Sequence, residues 1–232
     1  KAVVAFMISG AYIFSKYMSS RILKIFFWTF ICSPIVLLYL GISGQFNVFR
    51  DLEMHEGERY ATRTVDGKKI KEDLASDTRT FIYEEVISSA IKHNYILWGR
   101  TPARGNDSKY FGSYMAENLQ TGLYERHANE VCFPNVFTWL GFIGMVLYGL
   151  IYINSSYLAV YKSNNFYIKL LGVFIAFRFA YGWVEDINRF DIMNIALWMM
   201  ISMGFSEQFR EMDDSEFKNW VKTIFVTSDN RD

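Results

Sequence analysis

The chain has 232 residues, 51% of them hydrophobic and 18% aromatic, and 24 basic side chains balance 24 acidic ones. Zero net charge excludes the basic footprint of a nucleic-acid binder, and the two cysteines, Cys32 and Cys132, have neither disulfide nor metal-ligand spacing. The apolar residues are gathered into long uncharged runs; buried helices of a soluble core are also apolar all round, but seldom run so far without a charge.

In chain order, residues 2–14 are apolar but short, and read as the remnant of a longer helix. The following "SKYMSSRILK" carries Lys16, Arg21 and Lys24 and no acid, which favours the cytoplasmic side. Residues 25–43, "IFFWTFICSPIVLLYLGIS", hold no charge. At helical rise they cover about 28 Å, close to the roughly 30 Å of a hydrocarbon core. This span runs outward and leaves residues 44–132 outside. Within that segment "VDGKKI" predicts a hairpin turn through Asp66 and Gly67. Residues 77–93, "DTRTFIYEEVISSAIKH", open on an acid suited to an N-cap and place Phe81, Ile82, Val86, Ser89 and Ala90 at helical spacing, so an amphipathic helix near the membrane surface is expected. The Gly-, Pro- and Arg-rich "LWGRTPARGND" comes next, then a short aromatic helix around "SKYFGSYMAENL".

Residues 133–153, "FPNVFTWLGFIGMVLYGLIYI", make a second uncharged span running inward, and "NSSYLAVYKSNN" with Lys162 turns on the cytoplasmic side. Residues 166–183 go out, "VEDINRFD" forms a tight external turn, and residues 190–206 come back. In the mixed-charge tail, "DSEFKNWVKTIFV" at 214–226 suits an amphipathic helix on the inner leaflet, with a solvated tail as the plainer reading. The expected fold is therefore all-α, a polytopic transmembrane helical bundle with a large extracytoplasmic loop containing short amphipathic helices. Two membrane segments fall in 1–43, the loop in 44–132, three transmembrane helices in 133–206 and a cytoplasmic tail in 207–232.

A loop of this length is usually functional or independently structured. Four arginines mark its second part: Arg79, Arg100, Arg104 and Arg126. Arg100 and Arg104 flank Pro102 between Gly99 and Gly105, which lets backbone and guanidinium groups converge on one anion. Arginine suits that task because its planar fork stays charged and grips phosphate oxygens in two places. The bland alternative is solvated arginines paired with Glu84 or Glu85. The His127 imidazole can take a proton from a hydroxyl, and Glu130 is the rival base. His55 and His93 are weaker candidates. Without clustered His, Asp or Glu at ligand spacing, chemistry here has to use arginine in place of a metal cation. Arg178 falls inside a span, where an arginine costs about 2.5–3.5 kcal/mol on insertion scales. Asp186 and Arg189, in the external turn, either complete a site or form a local ion pair capping two helices.

The loop starting with "DTRTFIYEE", passing through "WGRTPARG" and ending in "ERHANEV" and "NVFTWLGFIG" resembles the O-antigen polymerase and ligase superfamily of bacterial polysaccharide assembly, over roughly residues 77–150. The resemblance implies a metal-independent, multi-span glycosyltransferase of the bacterial inner membrane, without a cofactor, acting on an undecaprenyl-pyrophosphate-linked glycan. A chain-length regulator or a flippase is then a candidate protein partner. It implies that Arg79, Arg100 and Arg126 ligate the lipid pyrophosphate, that His127 is the candidate base, and that Gly141 and Gly144 are close-packing glycines of the following span; Arg104 joins the ligands on its spacing alone. Arg178, Asp186 and Arg189 are added as substrate-binding candidates. Ala128 separates His127 from Asn129 and the interval to the glycine is longer than in the ligase signature, which shifts weight from ligase to polymerase and leaves His127 and Glu130 both open as base. Family members carry more spans than this sequence shows, so it is expected to be the C-terminal portion of a larger enzyme. A transporter or flippase of lipid-linked sugars is the rival from another class, since it would want the same arginines but no base.

Overall fold

The computed structural model describes residues 18–42, 60–65, 68–73, 80–108 and 122–226, with the single positions 112, 116 and 120. The expectations placed on residues 2–14, His55, the Asp66–Gly67 turn, Asp77, Arg79 and most of 108–119 lie outside them. The described residues are mostly helical, as an all-α fold requires, with a few short strands.

Apolar runs become helices where they were expected. Helix α1 (Ser20–Ile42) takes up the run at 25–43, and strands β1 (Tyr60–Val65) and β2 (Lys68–Asp73) pair antiparallel with Val65 opposite Lys68, as a two-residue hairpin connection demands. Helix α2 (Thr80–Lys92) is the amphipathic helix of the loop. Two-residue strands β3 (Asn106–Asp107) and β4 (Glu125–Arg126) pair antiparallel, an element the sequence pattern does not reveal. Helices α3 (Cys132–Lys162), α4 (Phe166–Tyr181) and α5 (Ile192–Phe205) follow, then α6 (Glu207–Glu211) and α7 (Asp214–Val226). Among the described residues α3 alone passes as long and apolar enough to cross a bilayer, and α5 is a shorter apolar helix.

The chain divides into two compact units, one made of Lys1–Cys32, Gly149–Ala180 and Arg189–Asp232, the other of Ser33–Tyr148 and Tyr181–Asn188. In the first, Leu23 and Phe27 of α1 pack on Val160 of α3 and on Val173 and Ala176 of α4. The stretch "NSSYLAVYKSNN", expected as a turn, is helical through Lys162, and Ser155 and Ser156 within it are fully buried. Their hydroxyls explain why. Ser156 Oγ donates to the Gly172 carbonyl at 2.6 Å and Ser155 Oγ to the Ile201 carbonyl at 2.8 Å, while Gly172 sits against Ala159 and Val160, and Gly204 against Ser155. Small residues with a hydroxyl in reach let helix backbones approach closely.

The tail is tied at its start to the connection between α3 and α4, although its described residues stay exposed or half-buried. Asn164 N–H donates to the Arg210 carbonyl at 2.8 Å, Asn165 Nδ2 to the carbonyls of Phe209 (2.9 Å) and Met212 (3.0 Å), and the Asp214 carboxylate accepts from Phe166 N–H at 2.7 Å. Phe217 then stacks on Tyr167 with ring centroids 5.4 Å apart. Asp213 starts α7 by accepting from the N–H groups of Ser215 and Glu216 while donating its own N–H to the Glu216 carboxylate, a reciprocal cap. Those donated hydrogen bonds hold the Asp213 carboxyl below its ordinary range.

In the second unit Ile82 and Val86 of α2 pack on Val131, with Tyr83 and Phe137 alongside. Helix α3 begins against the 181–188 turn: the N–H groups of Cys132 and Phe133 donate to the carbonyls of Glu185 (3.2 Å) and Gly182 (3.3 Å), and the Phe133 ring stacks on Trp183 at 4.3 Å. These carbonyls supply acceptors for N–H groups that have no partner inside the helix.

Candidate functional site

Helix α3 is interrupted at Gly141, whose φ of 69° and ψ of −172° lie outside helical space. Breaking a helix strands carbonyls on one side and N–H groups on the other. Here the loop segment 96–101 supplies both sets of partners. Arg100 and Thr101 donate their N–H groups to the carbonyls of Thr138 (2.7 Å) and Trp139 (3.0 Å), and Phe142 and Ile143 donate theirs to the carbonyls of Ile96 (2.7 Å) and Leu97 (3.3 Å). The approach is so close that a Cβ on Gly99 would stand 2.5 Å from the Gly141 nitrogen, and one on Gly141 would collide with the Leu97 carbonyl and Trp98 nitrogen. Gly99 and Gly141 both have positive φ, so glycine is required twice over. Thr101 also holds a positive φ of 74°, a costly conformation for a β-branched residue.

Docking 96–101 on the break delivers Arg100 and Arg104 to Glu125 of β4. Arg100 Nη2 lies 3.0 Å from Glu125 Oε1, and Arg104 Nε donates to Oε2 at 2.9 Å. Arg100 Nη1 also donates to the Gly105 carbonyl at 2.9 Å and lies 3.5 Å from Asp107, and its guanidinium stands over the Tyr95 ring at 5.3 Å. Asp107 in turn accepts from Lys92 Nζ at 2.6 Å and meets His93 Nε2 at 2.9 Å, while its N–H donates to Ser89 Oγ at 2.9 Å. The Arg104 hydrogen bond, helped by the charge of Arg100, outweighs burial and holds the Glu125 carboxyl below its usual range. Burial would raise the Asp107 carboxyl, but the hydrogen bonds from Lys92 and His93 overcome it and lower it.

Arg126, the next residue, has different partners, because consecutive strand residues point to opposite faces. Its side chain is 8% exposed; Nε donates to the Ala128 carbonyl at 3.3 Å, and Nη2 stands 3.5 Å from Glu130, whose side chain is 56% exposed. Burial lowers the pKa of this guanidinium, against the charges of Glu130 and Glu85. His127 has its Nδ1 enclosed without a hydrogen-bond partner, and its carbonyl accepts from Trp139 Nε1 at 3.3 Å.

The turn carrying Arg126, His127 and Glu130 is held by three buried asparagines that the sequence reading did not single out. Asn129 N–H donates to Asn135 Oδ1 at 2.6 Å, Asn135 Nδ2 returns a bond to the Asn129 carbonyl at 2.9 Å, and Asn129 Nδ2 donates to Asn106 Oδ1 at 2.9 Å. Nothing local in the sequence marks them, since Asn106 and Asn129 meet across 23 residues.

The expectation of arginines converging on one anion is therefore revised. Arg100 and Arg104 converge on Glu125, an acid of the same chain, and Arg126 is set on the other face of β4 beside Glu130. Asp186 accepts from Asn188 N–H at 3.0 Å within its own turn. Arg178 and Arg189 belong to the other unit, where Arg178 Nη2 donates to Asn194 Oδ1 at 3.4 Å and the Arg189 carbonyl accepts from the Asn194 side-chain amide. Comparison with family models, with curated proteins and with solved structures finds no match to this chain.

Proposed function

We propose that the chain is part of a membrane glycosyltransferase that polymerises polyprenyl-diphosphate-linked oligosaccharides, with residues 44–132 on the outer face of the bacterial inner membrane. The observation that carries this reading is the buried Arg126 guanidinium set on one short turn with His127 and Glu130, immediately ahead of the apolar helix α3. The Glu130 partner of this cation has a side chain that is 56% exposed, so the pair lies within reach of a ligand arriving from outside. A lipid diphosphate is an anion that arrives at the head of a membrane helix, because its prenyl chain lies in the bilayer alongside.

In the reaction the acceptor hydroxyl oxygen bonds to the anomeric carbon of the donor sugar as the bond from that carbon to the diphosphate oxygen breaks. The electron pair leaves on the diphosphate, and Arg126 stabilises that growing charge more strongly in a water-poor site than in bulk. The hydroxyl proton passes to His127 or Glu130, whichever the acceptor meets within hydrogen-bonding reach. Arg100 and Arg104 become positioning residues: by gripping Glu125 they fix β4, and β4 fixes the direction of Arg126.

The test is a vesicle assay of the full protein with synthetic lipid-linked repeats, scored for chain growth and for lipid movement separately. Arg126→Ala is expected to abolish growth, and the base is the group whose removal, by His127→Ala or Glu130→Gln, also flattens the pH profile. Growth that survives the double variant His127→Ala with Glu130→Gln, while Arg126→Ala slows only lipid movement, identifies a transporter and refutes the transferase.

A further inference from the structure

The loop segment bound to the break in α3 carries an apolar outer face that none of the chemistry above uses. Trp98 is 75% exposed, and Leu97 beside it is also exposed. Ile87 and Ile91, one helical turn apart on α2, are exposed although Ile82 and Val86 of the same helix are buried. On α3 itself Leu140 and Phe142 are exposed at the break. Large contiguous apolar patches are rare on soluble monomers, so apolar side chains exposed together along one segment mark a candidate docking surface.

We infer that this face, from Ile87 to Trp98, lies in the outer-leaflet interface of the bilayer and anchors the loop at a fixed depth. The inference rests on α3 spanning the membrane, as the proposed function requires. Its depth follows from backbone geometry: the four hydrogen bonds across the break hold residues 96–101 level with residues 138–143 of α3. From Phe142 to Lys162 the helix rises about 31 Å, the thickness of a hydrocarbon core. With Lys162 at one boundary, the break and Trp98 stand at the other, where tryptophan rings collect.

Charge on the neighbouring residues agrees with this placement. Arg100, the cation nearest in sequence to Trp98, is turned inward onto Glu125 and Asp107 and so brings no unpaired charge to the lipid face. Lys92, exposed next to Ile91, has its ammonium held on the Asp107 carboxylate at 2.6 Å, so it too brings no unpaired charge there. Non-helical backbone at membrane depth is tolerated only where protein satisfies it, and each N–H and carbonyl named at the break has its partner.

The test is spin-label accessibility on the full chain in liposomes, in a Cys32→Ser background, with labels at Trp98→Cys, Ile91→Cys, Leu147→Cys on α3 and Ala103→Cys on the exposed 102–103 turn. Accessibility to oxygen relative to a water-soluble nickel complex is expected to be highest at 147, lower but clearly lipid-like at 91 and 98, and lowest at 103. Labels at 91 and 98 that match 103 while 147 stays in lipid mean the face is free in water for a protein partner, and the inference fails alone. A label at 147 that itself matches 103 removes the spanning helix, and the inference falls with the reading beneath it.

Discussion

Gly141→Ala is the sharpest perturbation of the arrangement that holds Arg126. Two costs combine at this position. A residue with a side chain pays about 1–3 kcal/mol for the essentially glycine-only backbone region that Gly141 occupies at φ 69° and ψ −172°. The added methyl also collides with backbone atoms of Leu97 and Trp98, which cannot swing aside as a flexible side chain would. Segment 96–101 must then lift from the break and lose the hydrogen bonds that join it to α3. At a net 0.5–1.5 kcal/mol each, four such bonds contribute roughly 2–6 kcal/mol, so the substitution threatens much of the stability of the loop. Gly122 provides the control, because its φ of 65° is similar but a Cβ there meets nothing within 4 Å. Amide hydrogen exchange in detergent micelles is the assay. Gly141→Ala should release the amides of Arg100, Thr101, Phe142 and Ile143, with a lower melting temperature, whereas Gly122→Ala should cost only the backbone strain of about 1–2 kcal/mol and leave those amides protected. Equal effects of the two substitutions, or retained protection in Gly141→Ala, would refute the argument that close docking on the break sets the loop.

Thr101→Gly should stabilise the same segment by about 1 kcal/mol, since it removes a strained positive φ without touching the N–H that reaches Trp139; an unchanged or lower melting temperature tells against the strain. The Glu125 and Asp107 carboxyls are both lowered on folding, so their contribution is present above the ordinary carboxyl range and is lost as pH falls through the depressed folded values. Protection of residues 99–107 should accordingly fade below about pH 4, and Glu125→Gln should weaken it at neutral pH and flatten its pH dependence. In the other unit, Ser156→Ala removes the hydroxyl bonded to the Gly172 carbonyl and should cost about 0.6 kcal/mol, while Gly172→Leu, which has no room beside Ala159, should prevent α3 and α4 from packing. Crosslinking between cysteines placed on those two helices reads both effects.

Long apolar runs, uncharged or with one or two charges, announced α1, α3, α4 and α5 because hydropathy needs no partner to be visible. The antiparallel pairing of β1 with β2 was legible for a similar reason, since the turn-forming residue types between them are local in sequence. What escaped the sequence depends on residues far apart. A glycine inside an apolar run marks a tight contact as readily as a break, and only the arrival of Leu97 and Trp98 makes Gly141 both. Likewise a charge is visible in a sequence but its compensation is not: Arg104 and Glu125 meet through strands of two residues, too short to carry a pattern. That short pairing decides which arginine does what. With Asp107 opposite Glu125 and Asn106 opposite Arg126, Glu125 turns to Arg100 and Arg104, and Arg126 turns toward Glu130. Slipping β4 by one residue would exchange the two faces, pressing a third guanidinium against Arg100 and Arg104 and removing the acid that joins them. The mutual repulsion of those cations disfavours that slip, so the ion cluster around Glu125 helps to fix the direction in which the buried Arg126 charge is presented.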